Sequence, residues 1–247
     1  MSNILISGCS FTASNNNHDW PANLIGHTVT NLAYPGAGNK YIADSIINKV
    51  SQTSYDLVLV MWSGITRLEF PVADAILFSD YVCKQNINHN WYIMSGGIAG
   101  SWQDHQMTTT LFKNIYKFLS DEQLAIMSLG EIIKLQGFLK NKNIKYYFMS
   151  YLNYWNQDKR WMSPNCDKSL SNFENLQPLI SQIDFSQWIF LNDNKDSIFD
   201  LATELNSFIP ESKFHPGETA NAEWAKIVLN KINEAVLDDK TASGGSD

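Results

Sequence analysis

Long apolar runs, paired cysteines and an excess of positive charge are what this sequence lacks, and each absence removes a class of protein. The longest apolar stretch, Leu57–Trp62, covers six residues, whereas a membrane-spanning helix needs about 20. The three cysteines (Cys9, Cys83 and Cys166) are odd in number and share no metal-like spacing. They are expected as reduced thiols in a cytosol-like compartment, not as a disulfide frame. No basic region with a following apolar stretch precedes Ile4, so no secretory leader is expected and the predicted location is cytoplasmic. Lys and Arg number 18 against 25 Asp and Glu, for a formal charge of −7. Such a field attracts neither nucleic acid nor an anionic membrane, and neither is expected as a partner. No internal repeat is visible, and no linker divides the chain. The wealth of Asn, Ile and Lys points to an AT-rich genome, viral ones included.

What is present is the pattern of an α/β domain. Asn3–Ser7 reads as a short buried strand that stops at Gly8, where small polar residues take over. Trp20–His27 is predicted as a short helix with Pro21 in its first turn, and Thr28–Ala33 as a second strand. In Asn39–Val50 the residues Ile42, Ala43, Ile46, Ile47 and Val50 recur at helical spacing. Asp56–Trp62 is continuous in apolar character, as in a parallel strand buried on both faces. Residues 64–106 break this rhythm and are expected as an insertion, partly helical, over one end of the sheet. A helix over 121–141 opens with Ser120 and Gln123 at capping-box spacing, and Lys145–Ser150 is the next strand. A second irregular insertion covers 151–187. Trp188–Leu191 is predicted as a last strand, followed by a helix near 195–207, a loop carrying His215, and a helix over 218–236. The alternation implies a doubly wound sheet: a three-layer α/β/α domain over 1–237 with five parallel strands, and a disordered tail over 238–247.

The chemistry starts at the carboxyl ends of the strands, where open α/β sheets bind ligands. Gly8-Cys9-Ser10 places a hydroxyl there. Ser10 reads either as a nucleophile or as a turn serine capping the next helix. The same turn could hold a phosphate, although no Gly-x-x-x-x-Gly-Lys pattern accompanies it. Gly36 follows the second strand and Ser63-Gly64 the third, each open to a plain turn reading. His215 stands in Phe-His-Pro-Gly-Glu ahead of an amphipathic helix, as a base or as a capping histidine. Arg67, four residues past Ser63, could bind a substrate carboxylate or sugar hydroxyl, or tie the insertion to the sheet. Together these groups make an acyl-transfer site geometrically possible.

The set resembles the SGNH/GDSL hydrolase superfamily. Gly8-Cys9-Ser10-Phe11-Thr12 resembles the nucleophile block, with Cys9 where the family usually has Asp. Asn31-Leu32-Ala33-Tyr34-Pro35-Gly36 resembles the second block, and Leu57–Gly64 stands at the third. His215-Pro216-Gly217, with Trp224-Ala225 beyond it, resembles the last. The resemblance implies a flavodoxin-like sheet and a serine esterase with Ser10 as nucleophile and His215 as base. The oxyanion hole would comprise the Ser10 and Gly36 N–H groups and a donor at Ser63. No cofactor and no metal are implied.

Two departures stand out. The third block normally carries an Asn, where this chain has Ser63 or Gly64, and Asn39 is a stand-in if it does not merely cap its helix. One lost oxyanion donor typically costs about 2.7–4 kcal/mol of transition-state stabilisation. The last block normally carries Asp three residues before His, where this chain has Ser212 with Glu211 beside it. Glu211 is then the expected orienter, or the site is a Ser-His dyad. Trp62, Arg67 and Asn39 are the candidate substrate contacts. Trp91, Trp102, Trp155 and Trp161, all in the insertions, suit sugar rings or form a small core of their own. The expected substrate is a small-molecule or carbohydrate ester, such as an O-acetyl group. The alternatives are a weakened domain of the same type that binds a glycan or protein, and an unrelated flavodoxin-like domain that binds phosphate at Gly8–Thr12.

Overall fold

The computed structural model describes residues 1–13, 19–65, 67–72, 82–83, 90–95, 114–155, 170 and 173–243. Its centre is a parallel sheet of β1 (Asn3–Ser7), β2 (Thr28–Asn31), β3 (Leu57–Trp62) and β7 (Lys145–Ser150), in the order β2-β1-β3-β7. Every residue of β3 is buried, as its unbroken apolar run requires of a strand covered on both faces. Register is one residue for one: Ile4 lies beside Leu57, and Leu57 beside Lys145.

The winding direction reverses at β1. From β1 the chain steps outward to β2, then crosses back over β1 to β3 and on to β7. Right-handed crossovers therefore put α1 (Asn39–Val50) and α2 (Asp121–Asn141) on one face, where they pack on each other. The 3-10 turn Trp20–Asn23 packs instead against the terminal helix α5 (Glu218–Ser243), which also meets α4 (Ile198–Glu204). The predicted spans of α1 and α2 match the observed ones, and the Ser120–Gln123 capping box is formed.

Four expectations change. Among the described residues the parallel sheet has four strands, not five: at the fifth position a single parallel bridge joins Phe148 to Trp188, closed by Ile189 N–H to the Phe148 carbonyl at 2.8 Å. Trp188 is instead part of an aromatic cluster with Phe148, Trp155, Phe185 and Phe190, and packing rather than pairing holds the edge. The described part of the first insertion is an antiparallel sheet of β4 (Arg67–Val72), β6 (Asn90–Ser95) and β5 (Val82–Cys83); the expected helical part lies outside the described residues. The short helix α3 (Gln177–Ile180) sits in the second insertion. The terminal helix runs past Val236 to Ser243, with no Gly or Pro to interrupt it over that span. Among the described residues no helix is long and apolar enough to cross a membrane.

Candidate active site

The reversal at β1 opens a crevice beyond the carboxyl ends of β1 and β3, the position where doubly wound sheets hold ligands. The turn leaving β1 enters it. Its core is two N–H groups, of Thr12 and Ala13, that both donate to the Cys9 carbonyl at 2.9 Å. A side chain on Gly8 would run into Thr12 and lie 3.2 Å from the Met61 carbonyl, so the turn can fold back this tightly only with glycine here. The turn is also tied to the segment after β2. Tyr34 N–H donates to the Gly8 carbonyl at 3.1 Å, and Asn31 Nδ2 to the Thr12 carbonyl at 2.7 Å. Cys9 is fully buried, while Ser10 remains half-buried at the crevice.

His215 arrives from elsewhere. The expected loop is a hairpin of β8 (Phe208–Ile209) and β9 (Ser212–Pro216), and His215 sits on β9. Its Nε2 lies 2.8 Å from Ser10 Oγ, across 205 residues of chain. The imidazole rests beside Phe11, ring centres 5.1 Å apart, and Phe11 in turn meets Tyr151 at 4.5 Å. Burial among these groups, and secondly the Arg67 charge, holds the imidazole below its ordinary value of 6.5. Glu211 occupies the hairpin turn and is exposed there.

Asn221 locates the hairpin, and the sequence reading missed it. From the first turn of α5, buried, its Nδ2 donates to the Pro216 carbonyl at 3.0 Å and to that of Gly217 at 3.1 Å. Its Oδ1 accepts Trp20 N–H at 3.3 Å. The available signal was a polar residue on the inward side of an amphipathic helix, four positions after Gly217.

The remaining groups line the other side of the crevice. Gly36 has φ of +82°, a left-handed conformation suited to glycine. Among the described residues neither Gly36 N–H nor Ser10 N–H has a backbone partner. Asn39 does not cap α1. It pairs with the Ser63 backbone, Oδ1 accepting Ser63 N–H at 2.8 Å and Nδ2 donating to the Ser63 carbonyl at 3.2 Å. Ser63 Oγ accepts from Arg67 Nη1 at 2.6 Å, and the same nitrogen donates to the Ala37 carbonyl at 3.1 Å. The guanidinium lies over Tyr151, 5.5 Å from its centre, and against the Cys9 thiol.

Glu69, two residues on and so on the same face of β4, serves the end of α1. Its Oε1 accepts Tyr41 N–H at 2.8 Å, and a side chain on the intervening Gly38 would collide with the carboxyl group. Burial is the main reason that its titration is pushed up to about 7. Oε2 is buried with no partner among the described residues. Helix capping by a residue 28 positions away leaves no local sequence signal.

Trp62 is corrected. As the last residue of β3 it points into the core, fully buried and edge-on to Phe148 at 5.2 Å, so it offers no substrate contact. Trp155 is likewise buried in the aromatic cluster at the sheet edge. Trp102 and Trp161 lie outside the described residues, and of Trp91 only the backbone, in β6, is described.

No family model matches the sequence, and no curated protein matches it. Solved structures do. The esterase EstA from Pseudoalteromonas, in a structure inhibited by monoethylphosphonate, superposes with a TM-score of 0.50 at 11% identity, over 95% of this chain and 98% of that one. A variant of Axe2, an acetyl-xylooligosaccharide esterase from Geobacillus, gives 0.50 at 11% identity over 94% of both chains. A lipolytic protein of the G-D-S-L family from Desulfitobacterium hafniense gives 0.47 at 10% identity, over 92% of this chain and 98% of that one. Over the described sheet and helices, this chain has the α/β fold of EstA and Axe2.

Proposed function

We propose that the protein is a serine ester hydrolase. The observation that carries this reading is the 2.8 Å approach of His215 Nε2 to Ser10 Oγ at the carboxyl edge of the sheet. A neutral imidazole is a competent base, and the environment that holds His215 below 6.5 keeps it neutral at pH 7. Ser10 Oγ forms a bond to the ester carbonyl carbon as its proton passes to Nε2, and the carbonyl π pair moves onto oxygen. The Ser10 and Gly36 N–H groups receive that charge. Collapse expels the alcohol, which takes the proton from His215, and water releases the acyl group by the same steps. Glu211 is too exposed on the hairpin turn for the orienter's role, so the reacting pair is Ser10 and His215.

A short acyl group on a carbohydrate is the proposed substrate class. Its support is the shared fold with Axe2, an acetyl-xylooligosaccharide esterase. The competing reading is a binding domain of the same fold. It is favoured by Ser63, whose N–H is spent on Asn39 where an oxyanion donor is wanted. Hydrolysis of an aryl acetate, with fluorophosphonate labelling, decides between them. Wild-type turnover well above that of Ser10→Ala, and labelling lost in that variant, support the enzyme; equal rates end the claim.

A further inference from the structure

The carboxylate nearest Arg67 along β4 is bonded elsewhere through one oxygen, and burial favours its neutral form. Glu69 holds α1, and among the described residues no carboxylate lies within ion-pair distance of the guanidinium. A part-buried cation with no carboxylate in ion-pair distance among the described residues is costly unless negative charge visits it. The neighbours of this one are the three strand-end turns themselves. Nη1 bonds to Ala37, which follows Gly36, and to Ser63 after β3, and Cys9, which precedes Ser10, lies against the group. Tyr151 forms its floor.

We propose that Arg67 is a catalytic residue of the ester hydrolase: its guanidinium is the third pole of the oxyanion hole, supplying the charge stabilisation that Ser63 and Asn39, bonded to each other, do not. The inference rests on the Ser10–His215 reading and deepens it. As the carbonyl π pair moves to oxygen, negative charge develops beside the Ser10 and Gly36 N–H groups, within the field of a fixed cation. An arginine suits this place because its fork can hold two turns and still present N–H groups on its other nitrogens. The arrangement also shifts the balance within the reacting pair: the Arg67 charge disfavours the imidazolium and favours the oxyanion. The ionisable groups around the cation are Cys9, Tyr151, Tyr154 and His215, with Glu69 behind. Burial pushes Tyr151 up to about 12 and Tyr154 well above its ordinary value, so the titrations near the cation in the working range include His215 and also Glu69, which is pushed up to about 7.

The test compares wild type, Arg67→Met and Arg67→Lys on neutral and anionic aryl esters, with thermal melts of each. Arg67→Met is expected to lower kcat by about 10²–10³-fold at little change in KM. The acid limb of kcat/KM should move up toward the ordinary imidazole value, and added guanidinium should restore part of kcat. Arg67→Lys, which keeps the charge but loses the fork, should lose less kcat and leave the acid limb in place; it decides the matter if Arg67→Met does not fold. A folded Arg67→Met with unchanged kcat overturns the proposal. So does a rise in KM confined to anionic esters, which would make the cation a subsite for a permanent charge. Failure of the underlying reading looks different: wild type would then be no faster than Ser10→Ala.

Discussion

The two halves of the site are built by opposite means. Ser10, Gly36 and Ser63 stand on turns at the end of a buried sheet, where Asn39 opens α1 and Arg67 opens β4, and they are bonded together through Gly8, Asn31, the Asn39–Ser63 pair and the Arg67 fork. His215 stands on a small hairpin outside that sheet, between exposed Phe214 and buried Pro216, four residues past an exposed turn. The first half inherits its geometry from the hydrophobic core. The second depends on a few hydrogen bonds through Asn221 and Gly217. The inner half should therefore be hard to displace, and the outer half easy to detach without unfolding the domain.

The largest expected effect joins the two halves. Ser10→Ala and His215→Ala should each lower kcat for an aryl acetate by about 10⁴–10⁶-fold, and the double variant should be no worse than either. Additive losses would mean that the two side chains act separately, and would break the comparison at its centre.

The second prediction concerns the inner half alone. The folded state favours the neutral Glu69 carboxyl, whose titration lies at about 7 against an ordinary 4.5. Its contribution is thus complete below about pH 4.5 and is lost as pH rises through 7, an amount of about 3 kcal/mol. Glu69→Gln keeps the acceptor for Tyr41 N–H and removes the titration. Melting temperatures of wild type should fall between pH 5 and 8 relative to those of Glu69→Gln; parallel curves would refute the assignment.

Much of this was legible in the sequence because it is local or periodic. The helical repeat of Ile42, Ile46 and Val50, the apolar run of β3, and the Ser120–Gln123 box predict their elements with almost no error in span. Ser10, Gly36 and His215 could be singled out because glycine turns and strand ends mark the sheet edge. What could not be read is long-range. Asn221 holding Pro216, Glu69 capping α1, and Asn39 paired to Ser63 are side chains whose partners lie on other elements, and no spacing rule points to them. Trp62 misled for a related reason: it is the last residue of a strand covered on both faces and stays in the core, although the next residue, Ser63, bonds to Arg67. The fifth strand failed because aromatic packing at Trp188 replaced the ladder that a β-rich run implies.

Asn221→Ala probes the outer half and sharpens the contrast. Loss of its buried bonds should cost about 1–3 kcal/mol of stability. Asn153→Ala is the control, a buried asparagine whose Nδ2 donates to the Asn194 carbonyl at 3.0 Å and to Asp196 at 2.9 Å on the far edge of the sheet. Both variants should melt earlier by similar amounts, but only Asn221→Ala should lose kcat, because only it releases the hairpin. Equal kcat losses would show that activity follows global stability and that the hairpin has no independence.

The smallest effect is expected at Glu211, and it is the most discriminating for the Ser10–His215 pair. An engaged acidic partner keeps the imidazole in the right tautomer, and replacing such an aspartate with asparagine in a serine protease costs about 10⁴-fold in kcat. Glu211 lies exposed at the Pro210–Glu211 turn, with Ile209 paired to Ser212 across it. A carboxylate in that position is solvated and screened, and its charge reaches His215 weakly. Glu211→Gln should therefore change kcat/KM by less than about twofold and leave the acid limb of its pH profile in place. A loss above about tenfold, far beyond what an exposed charge supplies, would mean that the hairpin folds Glu211 inward when substrate binds. The outer half would then be a moving part that completes a triad only in the complex, and the contrast between a rigid inner half and a detachable outer one would become a contrast between a preformed site and one assembled on binding.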